Sequence, residues 1–212
     1  MDYKRTVTYG QLAPAQSTNY LVLPSCLYGF HNTETTAETA TSKRIVYCHR
    51  GFLDLPEKER VCTCGQRMYI NSHPDIYIRH LSIGGNLSGL KFPHNQLRCP
   101  GCGATKSQSI SFKAEGHFIT EALHQYTCDL LAKGTYTNRQ VAEITGLGEN
   151  TVKEIDKKRL QGLHTTDEGR KLVKPEKQAK YLGIDEFKLH NGHRYATHII
   201  DLETSHVLWI QN

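Results

Sequence analysis

Nowhere in the 212 residues do about 18 apolar residues run together, and the N-terminus lacks the basic and apolar regions of a secretory signal. A membrane-spanning helix and a membrane partner are therefore not expected, and the chain reads as cytoplasmic. No internal repeat is found, which excludes a solenoid. No single segment is apolar enough for a large core. Hydrophobic residues make up 38% and charged residues 22% of the chain, a globular composition that at this length suits two or three small modules. Modules of that size often need a staple.

Cysteine is present in an odd number, seven. In a reducing compartment this points to thiols or metal ligands rather than to a disulfide framework. The 26 Lys and Arg exceed the 21 Asp and Glu, giving a net charge of +5, which favours a polyanion as partner.

Along the chain, residues 11–43 are rich in Thr, Ser, Asn and Ala. One apolar island at 20–30, interrupted by Pro24, reads as a strand or a docking peptide. Residues 32–42 have almost nothing to bury and read as a flexible linker. A flexible segment is therefore expected over 1–43. Residues 44–117 form the next expected module, with short alternating runs such as Met68-Tyr69-Ile70 and Ile76-Tyr77-Ile78 between turn residues, a pattern of small strands around a metal. A helical pattern follows over 118–163, then a polar connector at 164–180, then strands at 181–187, 194–202 and 206–210.

Two thiol pairs, Cys62-Thr63-Cys64-Gly65 and Cys99-Pro100-Gly101-Cys102-Gly103, could converge on one ion. Four thiolates suit tetrahedral zinc, and a Gly after the second Cys of each pair frees the turn to aim backbone amides at sulfur. The first pair is C-x-C, a tight bite, and Cys48 and His49 are the substitutes if one thiol falls short. The expected zinc is structural, because no three-ligand group with a neighbouring general base is evident. The bland alternative is ordinary cysteines in a loop-rich segment.

Thr137-Asn138-Arg139-Gln140 has capping-box form and opens a run with Val141, Ala142 and Ile144. A turn at Gly146-Leu147-Gly148 leads to a second helix from about Asn150. Ala142, Gly146, Val152 and Ile155 fit the spacing of a helix-turn-helix: a small residue for close approach, a Gly for a left-handed turn, and two aliphatics to fill the angle. Glu149, Asn150, Lys153, Glu154 and Lys157 then fall on the outer face of the second helix, where base edges of double-stranded DNA are reached. Lys158 and Arg159 suit phosphate contacts. The competing reading is a packed helix pair with a solvated charged face.

Tyr181-Leu182-Gly183-Ile184-Asp185-Glu186-Phe187 places an acid at the end of an apolar strand, with two more strands joined through Asp201-Leu202-Glu203-Thr204-Ser205. RNase H-like nucleases begin with this order of strand, hairpin and strand with an early Asp. Their chemistry uses two divalent metals about 4 Å apart, so several carboxylates must converge. Asp201 reads as a turn acid.

On these residues the sequence resembles the ISL-three family of insertion-sequence transposases. The likeness runs from about residue 44 to the end. It is carried by Arg79-His80-Leu81 with Cys99-Pro100-Gly101-Cys102, and most by Gly183-Ile184-Asp185-Glu186-Phe187 leading into His193-Arg194-Tyr195-Ala196 and Asp201-Leu202. The resemblance implies an α+β, multi-module chain: a zinc-ribbon-like module, a helix-turn-helix, and at 181–212 the first three strands of a truncated RNase H-like domain of DDE type. It implies that Asp185 matches the first catalytic Asp, with magnesium needed only in a complete catalytic domain. The family's second Asp and its Glu lie beyond the third strand, and here only Gln211 and Asn212 remain, so strand cleavage by this chain alone is not expected.

The function implied is recognition of transposon ends, the terminal inverted repeats of an insertion sequence, by a nucleoid-associated bacterial protein. Self-association or pairing with a full-length transposase are the protein partners left open. The alternative is a stand-alone zinc and helix-turn-helix regulator of transcription or transposition. An isolated three-stranded sheet would expose its faces and a strand edge, so 181–212 is expected to be poorly protected or to associate between chains.

Overall fold

A computed structural model describes residues 7–8, 27–39, 44–166, 171–173, 177–188 and 195–211, a mixed α+β chain with few helices and several sheets. Contacts divide it into two compact units, Met1–Ile155 and Asp156–Asn212.

The first unit is built on a five-stranded sheet. Strands β1 (Val7–Thr8), β2 (Phe30–Thr39), β3 (Ile45–Leu53), β5 (Asp75–Ile83) and β6 (Asn86–Pro93) lie in the order β1-β2-β3-β6-β5. All neighbours are antiparallel except β3 and β6. Alternation sends Ile76 and Ile78 of β5 to one side, where they meet Leu90, Phe92, Leu27, Leu53 and Phe112. Phe30, Phe92 and Phe112 stack with ring centroids 5.6 to 6.4 Å apart, a tilted and edge-on arrangement that suits aromatic quadrupoles.

Strand β2 corrects the expectation of a flexible linker. Residues 32–39 are strand and pair with β3, so the division expected at 43/44 cuts through one sheet. The physical reason is that an inner strand draws its stability from two backbone ladders. The Thr-rich run needs no apolar alternation, since β-branched Thr suits the pleat, and only Thr36 and Ala37 are buried. Residues 40–43, Pro24 and Cys26 lie outside the described residues.

A second, three-stranded sheet holds β4 (Tyr69–Ser72), β7 (Gln96–Arg98) and β8 (Thr105–Ser107), in the order β4-β7-β8. Met68, Leu97, Cys62 and Cys99 form its small core.

Three helices follow: α1 (Glu121–Ala132), α2 (Asn138–Thr145) and α3 (Glu149–His164). Thr120 caps α1 by accepting from the Leu123 amide, and Thr137 with Gln140 closes a complete capping box on α2. The positions Leu123, Thr127, Leu130 and Leu131 repeat at helical spacing and are buried. Together with Val141, Ala142, Val152 and Ile155, the α1 leucines make a helical core that also takes in Leu81 of β5. No helix among the described residues is long and apolar enough to cross a membrane.

In the second unit, β9 (Thr165–Thr166) pairs with β10 (Lys171–Leu172), a short ladder inside the expected connector. Strands β11 (Leu182–Lys188), β12 (Tyr195–Asp201) and β13 (Val207–Gln211) form an antiparallel sheet in that order. Tyr181, Leu182, Ile184, Trp209 and Ile210 are exposed on it, and Ala196 is buried. His193 and Arg194 lie outside the described residues.

Candidate functional site

The two thiol pairs sit on matching turns. After a short 3-10 turn at Glu57–Arg60, the Cys62 amide donates to the Gln66 carbonyl at 2.9 Å and the Gly65 amide to Cys62 at 2.9 Å. After β7, the Cys99 amide donates to Ala104 at 2.9 Å and the Gly103 amide to Cys99 at 3.1 Å. Gly65 has φ of 86° and Gly103 of 73°, the left-handed conformation that a side chain would oppose.

These turns bring Cys62, Cys64, Cys99 and Cys102 together with all ligand atoms within 4.8 Å of one another. Cys62 Sγ lies 3.5 Å from Cys102 Sγ, and Cys64 Sγ lies 3.4 Å from Cys99 Sγ. Four sulfurs at about 2.3 Å from one ion in tetrahedral array stand about 3.8 Å apart, so the set fits zinc. Cys62 and Cys99 are also buried, Cys64 and Cys102 exposed.

The four thiols perturb one another's proton affinity in opposite directions. The Cys64 amide, with the Cys102 thiol, pulls the Cys62 thiol down to about 6. The Cys102 amide likewise lowers Cys99. Cys64 accepts the Gln66 amide, yet the thiols of Cys99 and Cys62 push it up to about 12. Cys102 accepts the Ala104 amide and is raised by Cys62 and Cys99. Four thiolates this close repel, and a divalent ion removes that repulsion. Cys48 and His49 take no part. Both lie on β3, where His49 is buried and its Nδ1 is 3.0 Å from Thr35 Oγ1.

Helices α2 and α3 join through Gly146, whose φ is 69° and whose amide donates to Ala142 at 2.8 Å. Val152 and Ile155 are wholly buried. At about 100° per residue, Asn150, Lys153, Glu154 and Lys157 then fall within one arc on the opposite side of α3. All four are exposed, as is Lys158. Arg159 is placed differently. It is half-buried, and its Nε and Nη2 donate to Asp156 Oδ1 at 3.0 and 2.8 Å.

Two arginines that sequence reasoning left without a role donate to the end of α2. Arg79 on β5 donates from Nη2 to the Thr145 carbonyl at 3.4 Å, and Arg44, just before β3, donates from Nη1 to the Glu143 carbonyl at 2.8 Å. Burial pulls Arg79 below its ordinary value, though a guanidinium stays charged. The resemblance to a family motif at Arg79-His80-Leu81 was the only signal in the sequence.

Asp185 is exposed on β11 opposite His198, and its Oδ1 accepts from the Glu186 amide at 2.8 Å. Asp201 is buried and accepts from Thr204 Oγ1 at 2.7 Å and from the Glu203 amide at 3.0 Å. It serves the turn. Among the described residues the only cluster of three or more metal-ligating side chains is the four-cysteine group, and Asp185 is not part of it.

The comparison with known proteins points to insertion-sequence transposases as the similar class. Over 133 residues, 63% of this chain, the sequence is 34% identical to the transposase for insertion sequence element IS1001 of Bordetella parapertussis. The matched stretch is 30% of that relative's length. No family model matches the chain, and no solved structure matches it.

Proposed function

We propose that this chain is the DNA-binding front part of a DDE-type transposase of the ISL-three kind, reading the terminal inverted repeats of an insertion sequence. The observation that carries the reading is the exposed face of α3, with Asn150, Lys153, Glu154 and Lys157 aligned behind a buried Val152 and Ile155. A helix so presented matches a major groove in width and chemistry, and the likeness to a transposase supplies the context.

In this reading the α2–α3 pair is a helix-turn-helix. Asn150 and Glu154 meet base edges, Lys153 and Lys157 meet bases or phosphates, and Lys158 meets phosphate. Arg159 adds to that surface only if it leaves Asp156. Cys62, Cys64, Cys99 and Cys102 hold a structural zinc, which would fix the two turns and supply no catalysis. The β11–β13 sheet is the start of an RNase H-like domain with Asp185 as its first carboxylate. No step of strand cleavage is assigned to it, because no second carboxylate converges there among the described residues.

The test is fluorescence anisotropy with labelled duplexes taken from the two ends of the DNA element that encodes the chain. Tight binding that weakens when Lys153→Ala and Lys157→Ala are combined supports the reading. Binding unaffected by that pair removes α3 from the role.

A further inference from the structure

The tripeptide Arg79-His80-Leu81 of β5 reaches three parts of the helical cluster at once. The Arg79 guanidinium donates to the last carbonyl of α2, on Thr145. The His80 Nδ1 lies 2.9 Å from Thr120 Oγ1, on the residue that caps α1. Leu81 packs against the helical core. The backbone adds two bonds, from the Arg79 amide to Phe118 at 3.0 Å and from the Thr120 amide to Arg79 at 2.8 Å.

The α2–α3 turn is also closed from the sheet side. A methyl group on Gly146 would lie 2.4 Å from Leu87 Cδ2 and 3.0 Å from Arg79 Nη2. Leu87 belongs to β6, so sheet and turn are in direct contact. Arg44 donates one turn back, to Glu143. The last carbonyls of a helix lack partners and carry the negative end of its dipole, so two guanidinium groups there are doubly favourable. Arg79 Nε is buried without a partner among the described residues.

We infer that Arg79, seconded by Arg44, is a positioning residue that latches the α2–α3 turn to the five-stranded sheet. The sheet thereby sets the direction in which α3 presents its reading face. Sequence discrimination then depends on a residue that touches no DNA. This rests on the DNA-binding reading above, and the latch itself can be tested without DNA.

The experiment compares the full zinc-loaded chain with Arg79→Ala, Arg79→Lys and Arg44→Ala. Hydrogen exchange is read at Gly146 and Val152, and anisotropy is read on element-end and shuffled duplexes over a range of salt. Loss of a charge-assisted bond is worth about tenfold. Arg79→Ala should speed exchange at Gly146 and Val152 by about that factor and leave Ile78 and Leu90 unchanged. It should lower the preference for end over shuffled DNA while the salt slope stays constant. Arg79→Lys restores part of both, since Lys keeps a charged donor but not the planar fork, and Arg44→Ala shows the same pattern more weakly. Unchanged exchange at the turn would overturn the latch. A salt slope reduced by about one with discrimination intact would make Arg79 a phosphate contact instead. If Arg79→Ala fails to fold, Arg44→Ala decides by the same measurements. A wild-type chain that does not prefer end DNA sinks the proposed function, and the exchange result still judges the latch.

Discussion

Asp185 and Asp201 point to opposite faces of the β11-β12-β13 sheet. In the ladder Asp201 stands opposite Leu182, and Asp185 stands opposite His198, three residues further along β11. Strand side chains alternate with period two, so an odd separation reverses the face. The two acids therefore cannot share one metal pair.

Substitution at these positions should have unequal consequences. The Thr204 hydroxyl, with the Glu203 amide, holds the Asp201 carboxyl below its ordinary value. A folded value depressed below the unfolded value of about 3.9 contributes stability that is present above that pH and lost as pH falls through the folded value. Asp201→Asn should lower the melting temperature at pH 7, and its deficit should shrink as pH falls below the unfolded value toward the depressed folded one. Asp185→Asn should leave melting nearly unchanged. Circular dichroism melts across pH check both, and equal effects would contradict the assignment.

The four-thiol group should bind one zinc per chain in reduced protein, seen by native mass spectrometry. Structural zinc couples to folding by on the order of 10 kcal/mol. Removal by a chelator should abolish amide protection of Leu97 and Cys99 while Ile78 and Leu90 in the five-stranded sheet remain protected. Cys99→Ser should do the same without chelator. Reduced protein free of metal would end the zinc assignment.

His80 gives a second pH dependence of known sign. Burial, with the neighbouring His49, holds it down to about 4. Thr120 faces its ring, and Ser88 stands opposite it in the ladder. The unfolded chain binds a proton near pH 6.5 that the folded chain refuses. Stability is therefore full above that pH and falls as pH drops toward 4, by at most about 1.4 kcal/mol per pH unit. In urea titrations His80→Gln should flatten that part of the profile. An unchanged slope would show that His80 does not set it.

Loss of Lys153 and Lys157 should weaken DNA binding and lower the salt slope by about two if both meet phosphate. If they meet bases, the slope stays and the preference for end DNA falls. No change in either quantity would return α3 to a solvated helix face.

What could be read in the sequence was local. The thiol turns follow from Cys spacing with Gly65 and Gly103, and the ends of α2 follow from Thr137, Gln140 and Gly146, each acting within a few residues. Strand β2 was hidden because its Thr-rich run has no apolar period, and its partners are supplied by β1 and β3. The latch was hidden for a related reason. Arg79 meets Thr145 across 66 positions, a contact that exists only once β5 has folded against α2. Arg159 suits a phosphate contact by its charge, and its pairing with Asp156 one helical turn away depends on the helix being formed.

The central claim is that the chain reads the ends of an insertion sequence. Footprinting of the full zinc-loaded chain on DNA spanning its own gene and flanks tests it most directly. Protection confined to the two element ends, and lost with Lys153→Ala plus Lys157→Ala, is the expected result. Uniform protection along the fragment, or none, would contradict the account.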